Sequence, residues 1–120
     1  MDLGEIIEYC VKFPGSTEDF PFDDVTLTYK VMGKVFILIP TASEELRINL
    51  KCNPEHAIEL REEYASIIPG FHMNKKHWNT VILDESISRK LLEKMISHSY
   101  ELVVKSLTKS QKIALAKITE

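Results

Sequence analysis

Between Val25 and Lys51 the chain has little choice but to fold back on itself twice. Val25, Leu27, Tyr29 and Val31 alternate with Thr26, Thr28 and Lys30, the period of a strand with one buried face. Met32-Gly33 follows at once and suits a tight hairpin turn. The segment from Lys34 to Ile39 carries an unbroken apolar run, as a central strand does, and Pro40 ends it. Leu46, Ile48 and Leu50 then alternate with Arg47, Asn49 and Lys51. Three successive strands with short connections make an antiparallel meander.

Helices flank this core. Leu3, Ile6, Ile7, Cys10 and Val11 have the spacing of an amphipathic helix, which Pro14-Gly15 ends. Ser16 to Asp24 reads as an acidic loop. Asn53-Pro54 is a strong helix start, with Ala57, Leu60 and Tyr64 sharing a face. Pro69-Gly70 breaks the chain, and Trp78 to Leu83 suits a fourth strand. Ser86 or Ser88 can cap a long helix with a core face of Leu91, Leu92, Met95, Ile96, Ser99, Leu102 and Val103. Thr108 and Gln111 have capping-box spacing for a last helix. The predicted fold class is α+β, an antiparallel sheet of about four or more strands with helices on one face, in the order α-β-β-β-α-β-α-α. Residues 1–120 form a single domain with no repeats or linkers.

Composition narrows the function classes. The chain is 44% hydrophobic and carries a formal net charge of −3, so it can bury a core and is not a strongly basic nucleic-acid binder. Asp2, Glu5, Glu8, Glu18, Asp19, Asp23 and Asp24 face Lys12 alone in the first 24 residues, so the remainder is mildly basic. The N-terminus lacks the basic and apolar regions of a signal peptide, and no apolar run approaches a membrane span. A cytoplasmic location is expected. Cys10 lies on a helix's apolar stripe and reads as a buried thiol; Cys52 follows a strand and is expected to be partly exposed. No cofactor-binding motif is present.

The runs Asn49-Leu50-Lys51-Cys52-Asn53-Pro54, Leu60-Arg61, Pro69-Gly70-Phe71-His72-Met73-Asn74-Lys75-Lys76-His77-Trp78-Asn79-Thr80-Val81 and His98-Ser99-Tyr100-Glu101-Leu102-Val103 resemble the MmcQ/YjbR family. The resemblance covers nearly the whole chain. It implies an architecture similar to bacterial frataxin, and the family commonly carries the label of a double-stranded DNA-binding protein.

The residues offer four candidate sites. No acid occurs between Glu63 and Asp84, and within that gap Phe71, His72, Asn74, Lys75, Lys76, His77 and Trp78 form a possible phosphate-contacting loop. The same residues also suit a rigid turn with Trp78 in the core. Thr26, Thr28, Lys30, Arg47, Asn49 and Lys51 share a sheet face without acids, which can extend the patch or simply be solvated. His72 and His77 lack metal-pair spacing. Asp2, Glu5 and Glu8, with the acidic loop, suggest a ridge for a protein partner or weak cation binding. Finally, Cys52 and His56 are four residues apart, and an enzymatic reading would require a pocket around Cys52, His56 or His77.

The expectation is a non-enzymatic binding domain. Duplex DNA would contact Arg47, Lys51, Asn74, Lys75, Lys76 and His77, with Trp78 stacking or buttressing. The alternative is a protein-interaction module built on the acidic end.

Overall fold

The computed structural model describes residues 1–70 and 73–118. Its elements are α1 (Leu3–Val11), β1 (Ser16–Asp19), β2 (Thr26–Val31), β3 (Lys34–Pro40), β4 (Arg47–Lys51), α2 (Pro54–Glu63), β5 (Ile67–Pro69), β6 (Trp78–Ile82), α3 (Arg89–Lys105) and α4 (Lys109–Ile118). The six strands form one antiparallel sheet in the order β1-β2-β3-β4-β6-β5. The α+β class and the β2-β3-β4 meander are as expected.

The meander's first turn is tight because both Met32 and Gly33 adopt positive φ, 50° and 80°. That backbone twist matches the strands it joins. A register shift beside Tyr29 leaves Phe36 between the paired residues Val35 and Ile37. Phe36 thereby turns its ring to Phe13 and Tyr100, while Ile37 stays in the core. Leu27, Tyr29, Ile37, Ile39, Ile48, Leu50 and Val81 supply the sheet's side of one core, and Ile6, Cys10, Leu92, Met95, Ile96 and Val103 supply the helices' side.

The caps behave as read. Asn53 accepts the Glu55 N–H ahead of Pro54, Ser88 rather than Ser86 caps α3, and Thr108 and Gln111 exchange reciprocal bonds before α4. Val11 departs from its predicted stripe and is 53% exposed, because α1 ends there and its buried side is Ile6 and Cys10.

Two strands were not expected. β1 occupies the first part of the predicted acidic loop and pairs with β2 from Ser16↔Val31 to Asp19↔Thr28. Its side chains are polar and mostly exposed, so backbone pairing alone makes it a strand and no periodicity marks it. β5 is three residues long and joins the sheet through β6. β6 returns between β4 and β5, so the sheet order is not the chain order.

Candidate functional site

The sheet and one loop bring part of the predicted basic set together. Lys51 ends β4 opposite Trp78, and the Cys52 N–H donates to the His77 carbonyl at 2.7 Å. The turn 74–77 is therefore stitched to the end of β4. Asn74, Lys75 and Lys76 are exposed and His77 is half-buried. Asn74 uses its side-chain oxygen in the turn, accepting the Lys76 N–H at 2.9 Å. Trp78 is only 9% exposed and buttresses β6, so it offers no surface for stacking. Phe71 and His72 lie outside the described residues.

Arg47 does not join this cluster. It begins β4, four residues from Lys51 and so about 13 Å away along the strand. Its guanidinium pairs with Glu45 at 3.0 Å. The expected acid-free face is corrected as well. The unforeseen β1 brings Asp19 to Lys30 at 3.2 Å. Thr28 is fully buried, and Asn49 accepts the Thr80 hydroxyl at 2.6 Å.

The acids of the N-terminal region have structural duties. Asp2 and Glu5 form a capping box on α1, and Glu5 also pairs with Arg89. Glu18 accepts the Tyr29 hydroxyl at 2.9 Å. Asp23 takes the N–H groups of Val25 and Thr26, which lowers its pKa. Among the described residues no group of three His, Cys, Asp or Glu side chains is arranged to hold a metal.

A second feature lies on the helix side of the sheet. α2 packs toward β5, while α3 lies over β3 and β4. Between them, above β4 and β6, is a cavity of about 270 Å³. Its floor is Leu50, Leu60, Val81 and Met95, and Cys52, His56, Lys94 and His98 stand around it. The His56 and His98 rings meet edge to face at 5.9 Å, bridging the two helices. Cys52 is buried rather than partly exposed, and desolvation pushes its thiol up to about 11 against the opposing pull of Arg61. It is a neutral thiol at pH 7, not an activated one.

With this geometry in view, the sequence profile of the YjbR family matches residues 11–102. The chain belongs to the YjbR family. YjbR relatives span it well: the uncharacterised protein YbdF of Escherichia coli O157:H7 is 44% identical over 75% of this chain and 74% of its own length. The uncharacterised protein YjbR of Escherichia coli K12 is 28% identical over 98% and 100%. Protein DR2400 of Deinococcus radiodurans, a crystal structure, superposes with a TM-score of 0.88 at 40% identity, covering 95% of this chain and 87% of that one. A Pseudomonas syringae crystal structure superposes at 0.75 with 26% identity, covering 86% and 99%.

Three residues of this YjbR domain do work that the reading of its sequence did not assign. Arg61 donates to Asn79 at 2.6 Å and to the carbonyls of Lys75 and Trp78, so one guanidinium ties α2 to β6 and to the basic turn. Ser99 is fully buried, donates to the Phe36 carbonyl, and accepts the Lys51 N–H at 2.9 Å. It fills the place where β3 and β4 stop pairing, which explains a polar residue on a core stripe. His98 accepts the Asn53 N–H at 3.3 Å through Nε2, which leaves its proton on Nδ1. Burial lowers its pKa, with His56 adding to the effect and Glu101 opposing it. The lone sequence signal for Arg61 was its place in the family-like Leu60-Arg61 pair.

Proposed function

We propose that this YjbR domain is a non-enzymatic binding protein that contacts the phosphates of double-stranded DNA through Lys51, Lys75, Lys76 and His77. The observation that carries the reading is the stitching of the 74–77 turn to the end of β4, which gathers these side chains without an acid in the turn. Arg61 braces the turn from beneath, so its cations sit on a held backbone rather than a loose loop. Lysine is a compact point charge and phosphate contacts carry no base information, so the binding is of low sequence specificity. Arg47, Asn74 and Trp78 support the fold and make no phosphate contact in this reading.

Fluorescence anisotropy with labelled duplex DNA tests it. Three lysine–phosphate contacts give a log–log salt slope near −2.7, a loss of roughly 40-fold between about 50 and 200 mM salt. Lys75→Ala/Lys76→Ala, with the fold intact, leaves one contact and a loss of roughly fourfold over the same range, from a weaker start. Absence of saturable binding at low salt sinks the DNA reading. Salt-sensitive binding that the double substitution leaves unchanged removes it from this turn. The protein-partner alternative has less support, since Asp2, Glu5, Glu18, Asp19 and Asp23 already hold contacts within the chain.

A further inference from the structure

The cavity between α2 and α3 opens to the surface at His56 and Lys94 and narrows onto buried aliphatic side chains. An engineered apolar cavity of about 150 Å³ holds a benzene, so the 270 Å³ here has room for a two-ring body or its aliphatic equivalent. Its floor, Leu50, Leu60, Val81 and Met95, is apolar.

The polar groups around it are unequal. Among the described residues that line it there is no carboxylate. Asn79 is already committed, accepting from Arg61 and donating to the Ala57 carbonyl. The Lys94 ammonium is exposed and forms no ion pair among the described residues. His98 keeps its proton on Nδ1, because Nε2 is occupied by the Asn53 N–H. His56 turns Nδ1 toward Glu59 at 3.6 Å and its ring toward His98. An apolar floor under a donor-rich mouth is the pattern of a small-molecule site. The donors select a head that only accepts hydrogen bonds. Two lysines, Lys51 and Lys94, line the cavity, and with the His98 Nδ1–H they favour an anionic head such as a carboxylate.

We propose that the cavity between α2 and α3 binds a small amphipathic monocarboxylate, its apolar body over Leu50, Leu60, Val81 and Met95 and its carboxylate at Lys94 and His98. The site is on the helix side of the sheet; it shares Lys51 with the DNA reading, whose other lysines, Lys75 and Lys76, lie on the 74–77 turn and do not line the cavity.

The test is a titration followed by amide ¹H–¹⁵N spectra, with 1-naphthoate as probe and neutral 1-naphthamide as its uncharged counterpart. Saturable shifts are expected at Cys52, Leu60, Leu91 and His98, with Kd below about 1 mM. Leu91→Trp places an indole at the half-buried rim and should weaken 1-naphthoate about tenfold or more. Lys94→Met keeps the alkyl stem at an exposed position, so folding is not at risk; it should weaken 1-naphthoate about three- to tenfold and leave 1-naphthamide unchanged. No saturable shift to millimolar probe, or shifts mapping to another surface, would overturn the site. Equal affinity for acid and amide would overturn the choice of a carboxylate.

Discussion

The two halves of the helix layer are packed differently. Over β2 and β3, aromatic rings pack together: Phe13 stacks on Tyr100 at 4.7 Å and meets Tyr9 and Phe36 edge-on at 5.3 and 5.7 Å. The two hydroxyls tie the cluster down, Tyr9 to Ser97 at 2.8 Å and Tyr100 to the Pro14 carbonyl at 2.6 Å. Over β4 and β6, aliphatic side chains line a cavity, and the contact between α2 and α3 described there is a pair of imidazoles. Four rings on α1, β3, α3 and the α1–β1 connection fill one half; among the described residues that line the cavity in the other, the only rings are the two imidazoles. The rings fill one half, and the cavity lies in the other.

The largest effect should come from the ring side. Phe36→Ala removes a fully buried ring that touches two others, and should cost about 3–5 kcal/mol in urea unfolding. Leu60→Ala, on the cavity floor, removes a side chain that already lacks neighbours on one side. It should cost about 2 kcal/mol, the low end for its kind. Equal costs at the two positions would break the comparison.

The smallest effect concerns the imidazole bridge. Burial lowers the pKa of His98 below its ordinary 6.5. The unfolded chain therefore takes up a proton first as pH falls. This stability contribution is complete above the unfolded value and declines from about pH 6.5 down to the lowered folded value. His98→Gln keeps an acceptor for the Asn53 N–H and should flatten that part of the stability–pH curve. An unchanged curve would remove His98 from the account. Asp84 works in a lower window. Bonds from Ser66 and Ser86 hold its carboxyl near 2, so its contribution persists until pH falls from about 3.8 toward 2.

Much of the fold was legible residue by residue. The alternation from Val25 to Val31, the apolar run that follows and the Met32-Gly33 turn specify strands through their side chains. Asn53-Pro54, Ser88 and Thr108 with Gln111 specify helix starts through their own hydrogen bonds. β1 was not legible, since Ser16–Asp19 has no apolar face and is a strand because β2 offers an edge. The same omission made the sheet face look free of acids, when β1 carries Asp19 to Lys30. The candidate basic turn could be found from the missing acids between Glu63 and Asp84. The need for a pocket could be stated for Cys52 and His56, but neither the pocket nor its partner His98 could be located.

What the sequence by itself determined is the α+β class, the meander, the helix caps and the YjbR kinship, because periodicity, turn chemistry and local capping act over a few neighbouring residues. The tertiary structure alone decided that Arg47 is tied to Glu45 and set apart from Lys51. It alone decided that Arg61 braces the basic turn, that Ser99 closes the gap between β3 and β4, and that His56 and His98 meet above a cavity. Apart from the Arg47–Glu45 pair, two positions apart, these depend on groups far apart in the chain: Lys51 and Ser99 are separated by 48 positions, and Asn53 and His98 by 45. Such contacts follow from the order in which strands and helices pack, and no local pattern of residues encodes that order.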